Sequence, residues 1–201
     1  MSDVPFMHEK EYKFIESHLN NQMTMLEWGS GGSTLYFSKL VKNYHSIEHD
    51  QEWYDKIEPQ IDDNVIYHHI PSSVPWERPS DWRENPEHHN TPVKYFEEYI
   101  NFVDELDIKF DCVLVDGRCR VHCAIKALSY LKDDGVLFFH DFYPRRKYGY
   151  YDVLYYYDPI GGVEDTTQTV IGLRKKDISA YRSVQSITEE LEMYHDLGKV
   201  R

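Results

Sequence analysis

Two short apolar runs, each ending in an acid, constrain this chain more than anything else in it. Phe110-Asp111-Cys112-Val113-Leu114-Val115 runs into Asp116, and Val136-Leu137-Phe138-Phe139 runs into His140-Asp141. Runs this short and this continuously apolar read as strands covered on both faces, the pattern of a parallel sheet. A helical stretch from Val121 to Leu131 and a turn at Asp133-Asp134-Gly135 separate them. If the two strands pair directly, Asp116 and His140-Asp141 stand about 5 Å apart at neighbouring strand ends.

The rest of the chain repeats the alternation. Met23 to Trp28 predicts a strand that enters Gly29-Ser30-Gly31-Gly32-Ser33, with Ser33 placed to cap a helix running to about Leu40. Tyr44 to Glu48 and Asn64 to Ile70 predict two more strands, with a helix over Glu52 to Ile61 between them. Gly161-Gly162-Val163 and Gln168 to Leu173 read as late strands. Helical spacing marks His8 to Leu19, a segment from Pro92 to about Leu106, the tyrosine-rich Arg145 to Tyr157, and Ser186 to Leu197. The expected fold is a Rossmann-like α/β three-layer sandwich with a mostly parallel sheet and a late antiparallel strand. The 201 residues suffice for one such domain over 1–201, not for two large ones. In an open α/β sheet the ligand crevice lies at the carboxyl ends of the strands, where the polar signals of this chain collect.

Charge narrows the partners. Asp plus Glu number 35 against 22 Lys plus Arg, a formal charge of −13. Such a surface repels a phosphate backbone and an anionic membrane, and accommodates a neutral, sugar-like or cationic ligand. No run reaches the ~18 apolar residues of a membrane span, and Met1-Ser2-Asp3-Val4-Pro5 lacks the pattern of a signal peptide. Cys112, Cys119 and Cys123 are odd in number and lack a zinc-site spacing, so they read as reduced thiols of a cytoplasmic protein. No symmetric interface pattern stands out, so the oligomeric state, homodimer included, stays open.

The glycine loop discriminates among ligands. A dinucleotide fingerprint would want glycine where Thr34 stands, and no Gly-Lys-Ser/Thr follows to make a phosphate loop. Glu27 beside the loop is a poor neighbour for pyrophosphate and a good one for an ammonium group. Glu48, followed by His49, ends the next strand, where a carboxylate can accept both ribose hydroxyls. An adenosine carrying a cationic amino-acid tail satisfies both acids. A plain tight turn with two surface acids is the structural alternative.

On these residues the chain resembles the class I S-adenosylmethionine-dependent methyltransferases. Glu27-Trp28-Gly29-Ser30-Gly31 stands at that family's acidic glycine loop and Glu48 at its ribose-binding acid, within an ordered series of elements from Leu26 to Leu173. Val113 to Arg118 followed by Phe138-Phe139-His140-Asp141 and Arg145 is similar to glucuronoxylan O-methyltransferases and to small metal-dependent sugar and catechol-type O-methyltransferases. Arg118 falls at a matching arginine, Cys119 replaces the glycine after it, and His140 stands where one acid of the catechol type would be.

The resemblance implies S-adenosylmethionine held by Glu27, Gly29, Ser30, Gly31, Ser33, Glu48 and His49, with Asp116, Arg118, His140 and Asp141 catalytic. It also implies that Asp116, His140 and Asp141 can take Mg2+ or Mn2+. The metal-free version makes His140 or Asp116 the general base, with Arg118 or Arg145 holding a substrate carboxylate. The proline-rich interval 71–92 reads as a substrate loop carrying Trp76, Trp82, His88 and His89, and Tyr148 is among the tyrosines placed to line an acceptor groove. The expectation is O-methylation of a sugar hydroxyl of a glycan or glycoconjugate. The alternatives are a catechol-like or other small-molecule acceptor and a non-catalytic glycan-binding module. Thr34 and Glu27 disfavour a nicotinamide oxidoreductase.

Overall fold

A computed structural model describes residues 4–77, 79–80, 92–142, 150–163 and 169–176. Its strands are β1 (Thr24–Trp28), β2 (Asn43–Glu48), β3 (Val65–His69), β4 (Phe110–Val115), β5 (Leu131–His140), β6 (Tyr157–Val163) and β7 (Val170–Lys175). They form one sheet in the order β3-β2-β1-β4-β5-β7-β6. The first five strands are parallel, and β7 runs antiparallel between β5 and β6. This is the Rossmann-like sandwich expected, with its antiparallel portion at the late edge. β4 and β5 pair directly, Val115 opposite Phe139, so their terminal acids are neighbours. The chain order reverses between β1 and β4, which places the ligand crevice of such a sheet above their carboxyl ends.

The helices are α1 (Glu9–Glu16), α2 (Gly32–Phe37), α3 (Gln51–Ile57), α4 (Glu97–Asn101) and α5 (Arg120–Ala127). Alternation along the strands divides the core in two. Met25, Leu114 and Phe138 pack with Ile15 of α1 and Phe37 of α2. Leu26, Trp28, Val113, Val115, Leu137 and Phe139 pack on the other face with Tyr99 of α4 and Cys123 and Ala124 of α5. Each large apolar side chain so enclosed contributes roughly 1.5–3 kcal/mol. The three cysteines are buried free thiols.

Local chemistry shifts several boundaries. The cap of α2 is Gly31 rather than Ser33, which sits inside the first turn and turns its hydroxyl to a buried acid. Asp133-Asp134-Gly135 is no separate turn: β5 begins at Leu131 and carries these residues as an irregularity, its pairing with β4 jumping from Phe110–Leu131 to Cys112–Val136. The helix expected after Pro92 is a 3-10 turn at Val93–Tyr95, then α4, then a 3-10 turn at Phe102–Glu105. Within Arg145 to Tyr157 the described part is a 3-10 segment, Tyr150–Tyr155. The expected tail helix at 186–197 lies outside the described residues. No helix among the described residues is long and apolar enough to cross a membrane.

Candidate functional site

Strand parity decides which acids meet. Glu27 follows Met25, Asp116 follows Leu114 and His140 follows Phe138, each two residues on, so all three emerge toward the side covered by α1 and α2. The β4 ladder reaches one residue past its end, where Asp116 N donates to Trp28 O at 3.0 Å.

At the β1 and β2 ends, hydroxyls enclose Glu27, and the His49 ring, with Nδ1 2.7 Å from Glu48 Oε1, joins a hydroxyl and backbone amides around Glu48. Glu27 is fully enclosed and accepts from Ser33 Oγ at 2.5 Å, Thr34 Oγ1 at 2.6 Å and Tyr44 OH at 3.0 Å. Burial raises its pKa to about 7 even against these hydrogen bonds. Its oxygens thus brace the glycine loop from beneath. Gly29 holds φ at +111°, and a Cβ there would stand 3.0 Å from Gly117 N. Gly31 holds φ at +149° flush against the Trp53 indole, whose Nε1 donates to Ser30 O at 2.8 Å. Glu48 accepts from Ser30 Oγ at 2.7 Å, from His49 N at 2.8 Å and from Asp50 N at 2.9 Å. Burial works against its charge, but these donors and the adjacent His49 ring prevail and hold its pKa below the ordinary carboxylate value. The Ser30 hydroxyl also meets Tyr67 OH at 2.6 Å.

On the other sheet face, the His49 ring packs against Phe96 and Tyr99. Arg118 Nε donates to His49 Nε2 at 3.4 Å, and the Arg118 guanidinium lies 5.3 Å from the centre of the Trp76 ring. Burial and the neighbouring Arg120 lower the Arg118 pKa. The structure therefore brings Glu48, Ser30, His49, Arg118 and Trp76 together.

At the β4 and β5 ends the carboxylates are ion-paired. Arg120 NH2 lies 3.1 Å from Asp116 Oδ1, and its NH1 donates to Asp141 Oδ2 at 2.9 Å and to His140 O at 2.6 Å. Arg120 Nε donates to Gly117 O at 3.1 Å, so three carriers of the guanidinium's protons are anchored. His140 is buried, with Nδ1 2.8 Å from Asp116 Oδ1 and Nε2 3.8 Å from Glu11 Oε2. Burial pulls the imidazole pKa down, but the charge and hydrogen bond of Asp116, with Glu11 behind them, carry it up to about 9. Asp141 ends the strand at φ +59°, a conformation aspartate tolerates better than most residues.

Sequence reasoning missed Arg120, Glu11 and Trp53. Arg120 stands four residues after Asp116, a spacing that brings the two together across the start of α5, so its signal was readable. Glu11 had none. It is the fourth residue of a capping box, accepting from His8 N at 2.8 Å, and only the docking of α1 carries it to His140. Trp82, His88, His89, Arg145 and Tyr148 lie outside the described residues.

One ligand-type atom from each of Asp116, His140 and Asp141 lies within 4.8 Å of the others. Two carboxylates and an imidazole are a donor set for a divalent ion only while the imidazole is neutral and the carboxylates uncompensated. Here Arg120 already pairs with both carboxylates and His140 Nδ1 is committed to Asp116. A divalent ion at this cluster would compete with Arg120 for both carboxylates.

No family model and no curated protein matches the sequence. Solved structures do match it. The chain is similar to a methyltransferase-like protein from Silicibacter pomeroyi, at TM-score 0.62 and 20% identity over 87% of this chain and 91% of that one. It is similar to precorrin 8w decarboxylase from Methanobacterium thermoautotrophicum, at TM-score 0.55 and 14% identity over 86% and 92%. It is also similar to a putative methyltransferase from Streptococcus mutans in complex with SAH, at TM-score 0.51 and 11% identity over 82% and 95%. With its strand order, these likenesses give the chain a class I S-adenosylmethionine-dependent methyltransferase-like fold.

Proposed function

We propose that this protein transfers a methyl group from S-adenosylmethionine to the hydroxyl of a small molecule, with a catechol-like phenol favoured over a sugar alcohol. The observation that carries the proposal is a single rim: the Gly29-Ser30-Gly31 loop and ionised Glu48 at one end of the crevice, Asp116 and Asp141 at the other. The Streptococcus mutans structure with SAH supports the donor part by its fold.

The donor half has the right chemistry for an adenosine with a cationic tail. Backbone at Gly29 and Gly31 can approach a ligand with no side chain in the way. Glu48 keeps its charge and can accept ribose hydroxyls. His49 and Arg118 stand next to it, where their planar groups can face a purine. Glu27 holds the loop's shape through Ser33 and Thr34. S-adenosylmethionine, when bound, supplies an electrophilic methyl group.

The acceptor half decides between phenol and sugar. Asp116 is the partly exposed base that can take the acceptor's proton. His140 and Arg120 touch that carboxylate from behind and stabilise its charge. A carboxylate base is better matched to a phenol, whose proton comes off near pH 10, than to an alcohol, which holds its proton far more tightly. The catechol-type resemblance places acids at these same strand ends. Glu11 of α1 stands beside His140 at the β5 end, and a Cβ at Gly32 would collide with Val4 O, so the N-terminal segment packs against the start of α2.

Calorimetry with S-adenosylmethionine and S-adenosylhomocysteine, wild type against Gly31→Arg, tests the donor part. Binding in the wild type that disappears in the variant is expected, and equal binding in both defeats it. A methyl-acceptor panel of catechols, simple phenols, monosaccharides and oligosaccharides tests the rest. Turnover confined to the saccharides would reinstate the sugar reading.

A further inference from the structure

We infer that Arg120 is the built-in cation of the Asp116–His140–Asp141 cluster, occupying the place of a divalent ion, so that the cluster binds divalent metal only when this side chain is removed. Three potential ligands converge within 4.8 Å, which is the spacing of a metal centre. What distinguishes this cluster from one is a single guanidinium. Arg120 enters from the first turn of α5, and four acceptors hold it: Gly117 O, His140 O, Asp141 Oδ2 and Asp116 Oδ1. Two of these are backbone carbonyls of the β4 and β5 ends, so the head group is fixed to the sheet itself and not only to the acids. Its side chain is 13% exposed, little enough that water does not compete for those contacts.

The geometry leaves a divalent ion with two obstacles. It would have to bind two carboxylates that the guanidinium already engages, at Asp116 Oδ1 and Asp141 Oδ2, against the repulsion of a charge about 3 Å from those oxygens. To recruit the imidazole it would have to detach His140 Nδ1 from Asp116 Oδ1 or reach Nε2, which faces Glu11 Oε2 at 3.8 Å. Arginine suits this post because its planar fork addresses several acceptors at once and keeps its charge at any physiological pH. Arg120 is thus a positioning residue: it fixes the rotamers of Asp116 and Asp141 and supplies the positive charge that a metal would bring. The inference concerns ion occupancy and stands apart from methyl transfer.

Mn2+ alone is the probe, followed by loss of the six-line electron paramagnetic resonance signal of the free ion on titration of the full chain. Wild type is expected to show no saturable Mn2+ site that depends on Asp141. Arg120→Ala, checked for folding by circular dichroism, is expected to gain one site, about tenfold or more tighter than any wild-type binding, and Arg120→Ala/Asp141→Asn to lose it. Arg120→Lys, which keeps the charge, is expected to stay metal-free. A wild-type site abolished by Asp141→Asn overturns the inference, and needs no Arg120 variant to fold. So does a folded Arg120→Ala that binds no Mn2+.

Discussion

The two ends of the crevice solve one problem in opposite ways. At the β1 and β2 ends, Glu27 is held by the hydroxyls of Ser33, Thr34 and Tyr44, and Glu48 by the His49 ring at 2.7 Å together with the Ser30 hydroxyl and two backbone amides. At the β4 and β5 ends, Asp116 and Asp141 are stabilised by Arg120 and His140, groups that cancel charge. Hydrogen bonds leave a carboxylate's field intact, while ion pairs consume it. At the first end only Glu48 is held below the ordinary carboxylate range, whereas at the second both acids face the Arg120 guanidinium. The same residue types serve two purposes because of what faces them.

The largest effect is expected at Glu48, where the proposed ligand's ribose would be met. Glu48→Ala should weaken S-adenosylhomocysteine binding about 100-fold, since two charge-assisted hydrogen bonds at ~1.5–3 kcal/mol each are lost. Calorimetry reads this directly. Affinity within a factor of two of wild type would show that the first end is no more a ligand site than the second.

Next in size is the ion-paired end. Asp116→Asn leaves Arg120 and His140 facing one acid fewer, and breaking such a partly buried network should cost ~3 kcal/mol in urea unfolding. Glu27→Leu is its counterpart at the other end. It strands the Ser33, Thr34 and Tyr44 hydroxyls, at a cost of ~2–3 kcal/mol. If Glu27→Leu proves neutral, the hydroxyl network does not brace the loop and the contrast between the ends weakens.

Stability against pH separates the two ends by window. Glu27 is raised from 4.5 to about 7 in the folded state, so the fold favours its protonated form. Its contribution is fully present below pH 4.5 and is lost as pH rises through 7. His140 is raised from 6.5 to about 9, so its contribution is full below pH 6.5 and is lost as pH rises through 9. Unfolding free energies in urea measured from pH 4.5 to 10 should fall in two steps, each on the order of 3 kcal/mol. Glu27→Gln should flatten the lower step and His140→Asn the upper. One variant flattening both would mean that the two ends titrate as a unit.

How much of this was legible follows from the same physics. The sheet was, because apolar runs such as Val113–Val115 and Leu137–Phe139 record burial on both faces in the residues themselves. So was the gathering of Asp116, His140 and Asp141, because direct pairing of two neighbouring strands fixes it. What faces each acid was not, apart from Arg120 at its helical spacing. Glu11 reaches His140 only through the docking of α1 on Phe138 and its neighbours, and no local pattern encodes a docking angle. Ser33 looked like a cap because serine before a helix usually is one. The helix instead begins at Gly32, so Ser33 falls inside its first turn, where its hydroxyl donates to the buried Glu27 of β1.

The smallest expected effect probes how the glycine loop is held from above. Trp53 contributes one hydrogen bond, Nε1 to Ser30 O, and a flat surface against Gly31. Trp53→Phe keeps much of the surface and removes the bond, so a loss of ~1 kcal/mol in stability is expected. Ligand affinity should fall by a few-fold at most, since Gly29 and Gly31 keep their backbone freedom and Glu48 its charge. If affinity instead collapses while stability holds, the indole is itself part of the ligand surface. The first end of the crevice would then recognise its ligand by aromatic contact as much as by charge, and the division between the two ends would have to be redrawn.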